Sequence, residues 1–224
     1  MTPFDLFSDS KVIELVVAAE RGDKEKINSL ADSGVDVNAK GRYGVTPLTR
    51  SLQAGNQEGY LALLKRGANP NLLDANGYGP MNLACSEEDS FWLRHALAHG
   101  GDPDLENIGN KHFPGRTCLL EAIWASRSDN VRLLIAARAN VNFENARNER
   151  PINIALNQSY EIVYLLVEAG AEYRFNSFDL VKRLNQDLKQ GVWDAGPDGK
   201  KWCDKTIELL EKKGEKFVRT KAPM

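Results

Sequence analysis

A period of 33 residues governs what this chain can fold into. The stretch from Gly44 to Asn71, GVTPLTRSLQAGNQEGYLALLKRGANPN, recurs in position, if less often in identity, through most of the sequence. Thr46 suits an N-cap, where its hydroxyl can accept from a free helical N–H, and Pro47 suits the first helical position, where its missing donor costs nothing. Leu48, Ser51 and Leu52 then make one apolar and small face. Gly55 stops this first helix, and Tyr60, Leu63 and Leu64 supply the buried stripe of a second helix that ends at Gly67. Helices this short cannot each bury an apolar stripe alone, so the hairpin has to stack on copies of itself.

With Thr46 as marker, the equivalent positions are Ile13, Gly79, Thr117 and Arg150, at spacings of 33, 33, 38 and 33 residues. IELVVAA, TPLTRSL, GPMNLAC, TCLLEAI and RPINIAL stand at the markers, and SGVDVN, RGANPN, HGGDPD, ARANVN and AGAEYR close the units. The pattern resembles the ankyrin repeat, whose T-P-L-H-x-A signature the unit at Thr46 matches best and the others match by position. The resemblance covers residues 11–175. It implies an all-α solenoid of stacked helix-turn-helix units with short β-hairpin tips, the five units falling at about 11–40, 41–73, 74–106, 107–144 and 145–175. Residues 1–10 are a lead-in whose Phe4, Leu6 and Phe7 are expected to fold over the first repeat. Residues 176–224 read as a diverged helical C-terminal cap, because the ends of a repeat stack need a cover with a polar outer face. Asn148 stands where Gly44 and Gly77 stand and tolerates the left-handed conformation.

The net charge of -2 and pI near 6.0 argue against a general nucleic-acid binder, and no phosphate- or dinucleotide-binding motif is present. No segment approaches the ~18 apolar residues of a membrane span. VIELVVAA is interrupted by Glu14 and preceded by Asp5 and Asp9 without a basic region, so it reads as the opening helix of the first repeat and not as a signal peptide. Cys85 and Cys118 occupy positions where the repeat places small or apolar residues and read as packing residues, and Cys203 sits in the cap without an evident partner. His95 and His99 are spaced to share one helix face, as metal-binding pairs are, but no spacing supplies a third ligand, and outer-helix polar residues are expected. There is no G-x-S-x-G elbow and no cysteine with a placed histidine, and Glu87 and Glu88 fall in a turn as solvated acids. No catalytic residue, metal or cofactor is expected.

What the resemblance implies instead is a surface for one protein partner, formed by the tips and the inner face of each first helix. At the tips these positions are Arg42 and Tyr43, Asn76 and Tyr78, Phe113 and Arg116, and Arg147 and Glu149. On the inner helices they are Arg50 and Gln53, Ser86 and Glu87, Glu121 and Trp124, and Asn157. Tyr, Trp and Arg dominate binding energy at interfaces, and here they recur at equivalent positions. The five extra residues of the fourth unit fall within Glu106–Gly115 and read as a longer finger carrying His112 and Phe113 as contacts, with drift in an unimportant loop as the competing reading. Trp124, seven residues after its marker, is expected to be a central anchor, with Tyr43, Tyr78 and Arg116 at the neighbouring tips. The lead-in FSDSKVIELVVAAERGD and stand-alone architecture look like small bacterial ankyrin proteins that serve in the periplasm as immunity proteins to secreted toxins, lipase-type effectors included. That likeness implies a toxin inhibitor, monomeric outside its complex. It implies a periplasmic location if a leader has been removed, and a cytoplasmic ankyrin adaptor or scaffold is the alternative.

Overall fold

Short helices follow one another in pairs through a computed structural model that describes residues 2–107, 115–190 and 198–218. The chain divides into two units, Met1–Glu121 and Ala122–Met224. The first contains α1 (Pro3–Leu6), α2 (Ser10–Arg21), α3 (Lys24–Asp32), a 3-10 turn (Arg42–Gly44), α4 (Pro47–Gln53), α5 (Gln57–Lys65), α6 (Pro80–Ser86) and α7 (Phe91–Ala98). It ends within α8 (Cys118–Trp124). The second contains the rest of α8, α9 (Ser128–Ala136), α10 (Pro151–Ala155), α11 (Tyr160–Glu168), strands β1 (Arg174–Phe175) and β2 (Phe178–Asp179), α12 (Leu180–Gln190) and α13 (Gly199–Lys212).

Capping side chains place these helices. Asp9 accepts from the N–H groups of Lys11 and Val12 at the start of α2, Asp23 from Lys26 at α3, Thr46 from Thr49 at α4 and Asn56 from Gly59 at α5. Where Gly79 and Arg150 replace the capping threonine, the role is reversed. Asn82 Oδ1 accepts from Gly79 N at 3.1 Å, and Asn153 Oδ1 from Arg150 N at 2.9 Å. Reversals between the paired helices are made at Gly22 and Gly55, both with positive φ.

In the first unit Leu15, Val16, Ala19, Ile27, Leu48, Tyr60, Leu63, Met81 and Leu93 are buried, which is the stripe expected from the repeat pattern. The lead-in covers only in part as expected. Leu6 and Phe7 are buried against Val12 and Val16, whereas Phe4 remains 73% exposed. α5 approaches α2 so closely that a Cβ on Gly59 would stand 1.9 Å from Ala19 O. Helix propensity alone would make Gly59→Ala stabilising by about 1 kcal/mol. The close approach reverses the sign, and an expected loss of about 1–3 kcal/mol from overpacking can be read in a urea titration. A stabilised variant would show that the two helices do not meet this tightly.

The loops that close the units are tied by one recurring device. Asn38 Oδ1 accepts from Asn69 N at 2.7 Å while its Nδ2 donates to Gly67 O at 3.1 Å. Asn71 does the same one repeat later, accepting from Asp102 N and donating to Gly100 O, both at 2.8 Å. In the second unit Asn142 Oδ1 accepts from Glu172 N at 2.7 Å. A single amide side chain thus satisfies a donor and an acceptor that a turn would otherwise leave to water.

The tips are short and close on single backbone bonds, Tyr78 O accepting from Asp74 N at 2.7 Å and Glu149 O from Asn145 N at 3.2 Å. Among the described residues the only strand pair is β1 with β2, Arg174 opposite Asp179 and Phe175 opposite Phe178, together with an isolated antiparallel bridge between Glu106 and Thr117. At residues 74–78 and 145–149 the side chains of Asp74 and Asn145 take N–H groups of their own turns and so brace these short tips.

In the second unit Leu134, Ile152, Ile162, Val163, Leu166, Leu180, Leu184 and Leu210 are buried. The last helix pair is α12 and α13, with α13 packed against α11. Tyr160 donates to the buried carboxylate of Asp187 at 2.8 Å, and Arg183 pairs with the same carboxylate at 3.0 Å. Arg174 pairs with Asp179 and Glu215, joining the strand pair to the end of the chain that follows α13. Most of the connection between α12 and α13 lies outside the described residues.

Candidate functional site

Inner helices α4, α6, α8 and α10 begin at equivalent positions, so residues counted from each start face alike within a repeat. Seven residues after the markers stand Gln53, Ser86, Trp124 and Asn157. Gln53, Trp124 and Asn157 are exposed and Ser86 is half-buried. Trp124 shows 39% of its surface, a large value for a tryptophan on a short packed helix. Ser86 turns its hydroxyl back to Leu83 O at 3.0 Å, and Glu87 beyond it is exposed.

Arg50, four residues after its marker, is only half-exposed. Its Nη2 lies 2.6 Å and its Nε 2.9 Å from Glu20 Oε1, and its Nη1 donates to Gln53 at 3.3 Å. This forked pair joins α2 to α4 and fixes a charged side chain that the sequence alone assigns to a partner.

Tyr43 has φ 61 in the 3-10 turn and is 50% exposed, with the Arg42 guanidinium 5.4 Å from its ring centroid. Its carbonyl accepts from Ala75 N at 2.7 Å, so the first two tips are joined through backbone. Asn76 is exposed at the second. In the second unit Arg147 and Asn148 are exposed, and Asn148 has φ 58, the left-handed conformation expected of it. Glu149 is half-buried and accepts from Asn145 Nδ2 at 2.7 Å.

Arg116 and Glu121 are not where an exposed surface would have them. Each is 8% exposed, with Arg116 Nη1 3.8 Å from Glu121 Oε2. Glu121 Oε1 accepts from the Tyr78 hydroxyl at 3.0 Å and from Asn107 Nδ2 at 3.1 Å, and Asn107 Oδ1 accepts from Arg116 N at 2.8 Å. Burial pushes the Glu121 carboxyl above the usual carboxylate range, against the opposing pull of Tyr78 and Arg116. Burial, with the Glu121 charge beside it, also raises the Tyr78 phenol. Four residues from a tip, the base of the insertion and an inner helix are thereby held as one buried polar group. Sequence reasoning missed Asn107, and its carboxamide is the hub. His112 and Phe113 lie outside the described residues.

A further correction concerns the cysteines. Cys85 and Cys118, expected as packing thiols, are joined in a disulfide with Cα atoms 5.4 Å apart. Both are fully buried, and the bond links α6 to α8 within the first unit. Cys203 is free and buried, and burial pushes its thiol up to about 12. His99 Nδ1 is bound to His95 O at 2.8 Å, and the His95 ring lies against Phe91 with centroids 4.3 Å apart. Among the described residues no three His, Cys, Asp or Glu side chains gather as ligands, and no helix is long and apolar enough to cross a membrane.

Residues 15–107 match the family described as ankyrin repeats in three copies. The ankyrin repeat protein YahD of Escherichia coli K12 is 25% identical, over 70% of this chain and 96% of YahD. Protein PhlB of Serratia liquefaciens is 28% identical, over 69% of this chain and 65% of PhlB. The mouse B-cell lymphoma 3 protein homolog is 26% identical over 58% of this chain, which spans only 28% of that protein. Among solved structures, an ankyrin repeat domain from Acinetobacter baumannii AYE superposes with a TM-score of 0.70 at 25% identity, covering 90% of this chain and 98% of that domain.

Proposed function

We propose, from the ankyrin repeats that this chain carries, that it is a non-enzymatic module binding one protein, and more narrowly an immunity protein that binds and inhibits a secreted toxin, a lipase-type effector being one candidate. Ankyrin repeats are a protein-interaction module, and the observation that carries the binding reading is Trp124, a large aromatic left 39% exposed at an inner-helix position. Exposed Tyr43 and Arg42, with Arg147 in the second unit, supply further side chains of the types that dominate interfaces. The narrower reading draws on the likeness to YahD over nearly all of that small bacterial protein's length. It draws also on the Cys85–Cys118 bond, which persists in oxidising compartments such as the periplasm and is rare in a reducing cytosol. A cytoplasmic adaptor or scaffold, the alternative, would keep both cysteines as thiols.

Pull-down from the source cell with mass spectrometry identifies the partner. Trp124→Ala is then expected to weaken calorimetric binding by roughly 2 kcal/mol, about thirtyfold, with little change in thermal melting. Unchanged affinity beside a large fall in melting temperature would make Trp124 a packing residue. A purified toxin whose activity the bound protein leaves intact would remove the immunity reading and keep the binding one.

A further inference from the structure

On the second helices of the repeats, separate from the tips and inner helices, α3, α5 and α7 border a groove of about 310 Å3. Leu61, Ala62 and Phe91 form its apolar floor, with Leu61 and Phe91 half-buried. Polar side chains around it are mostly accounted for. Lys24 pairs with Glu58 at 3.2 Å, Asp89 accepts from Gln57 at 2.6 Å and Arg66 pairs with Asp32. Lys65 and Arg94 differ. Both are exposed, and neither has a carboxylate partner among the described residues. The His95 ring lies beside Phe91, with the His99 ring 6.5 Å further on. Burial and the positive charges of His99, Arg94 and Lys65 hold the His95 imidazole below its ordinary range. Among the described residues no carboxylate is one of the groups acting on His95, so this end of the groove is a positive field. Lys65 and Arg94 are its permanent cations.

We propose that this groove docks an acidic peptide segment of a protein partner, with one large apolar side chain on Leu61, Ala62 and Phe91 and its carboxylates against Lys65 and Arg94. An apolar floor rimmed by uncompensated cations selects for that combination, since an uncharged segment gains nothing from the rim and a basic one is repelled. The site lets one chain hold two proteins at once, because it shares no residue with the inner helices or tips.

The test titrates the isotopically labelled full chain, by heteronuclear NMR, with a short synthetic peptide of glutamates around a central leucine. Two control peptides carry lysine for every glutamate or alanine for the leucine. Saturable shifts at Leu61, Phe91 and Arg94 are expected with the glutamate–leucine peptide, binding that weakens as salt rises past about 0.15 M, and at least roughly tenfold weaker binding of both controls. The double variant Lys65→Glu with Arg94→Glu should lose about tenfold or more, and Lys65→Gln with Arg94→Gln an intermediate amount. Both side chains are exposed, so an unchanged thermal melt accompanies these losses. Equal binding of the lysine peptide, undiminished binding by the charge-reversed variant, shifts confined to inner helices or tips, or no saturation at about 1 mM peptide would each overturn the proposal.

Discussion

Unfolded in urea with and without reductant, the protein is expected to be about 4 kcal/mol less stable once Cys85–Cys118 is open. The bond closes a loop of sequence separation 33, and the chain entropy it removes from the unfolded state scales with the logarithm of that length. A thiol titration of the unfolded, unreduced chain comes first and should find one reactive cysteine, Cys203, against three after reduction. The double variant Cys85→Ala with Cys118→Ala should behave as the reduced protein does, since alanine adds no polar atom to a fully buried site. Three thiols before reduction, or one unfolding midpoint under both conditions, would show that the cysteines pack without bonding.

Leu166→Ala is expected to cost roughly 2–5 kcal/mol, from lost transfer energy and the cavity left among rigid neighbours. Leu166 is fully buried in α11, the helix against which α13 packs, so the loss should reach the last helix pair as well as its own repeat. Amide hydrogen exchange in α11 and α13 can follow it, alongside a urea midpoint. A change below about 0.5 kcal/mol, the range of ordinary surface substitutions, would place Leu166 outside the core stripe.

The stacking stripe was legible because it follows from spacing. Tyr60, Leu63, Leu64 and Leu166 are buried where the period puts them, and Thr46, Pro47 and Asn148 take the local roles that their chemistry dictates. The disulfide was not legible. Cys85 stands six residues after its marker and Cys118 one after its own, so nothing in the period pairs them, and only the approach of α6 to α8 does. Arg116 is hidden from the sequence for a related reason. Charge alone argues for the surface, and that expectation fails where Glu121 and Asn107 converge to compensate the guanidinium and its backbone. The sequence leaves Arg50 to a partner because Glu20 lies 30 residues away and only stacking brings them together. Asp74 and Asn145 keep the tips short because a side chain two residues back takes N–H groups that a longer strand would use.

The asparagine ties bear on how such a chain changes in length over its history. The side-chain amides of Asn38 and Asn71 bind main-chain atoms of the following loop, an N–H and a carbonyl that almost every residue type provides. Excising one whole period would therefore offer Asn38 the N–H of Asp102 and the carbonyl of Gly100 where it now holds those of Asn69 and Gly67. Splicing by a full period leaves no loop group unmatched, whereas a cut of any other length strands both ends of the tie. The asparagine makes these first two junctions interchangeable, whereas at the equivalent position of the third unit Asp104, a carboxylate, has no amide donor for a carbonyl.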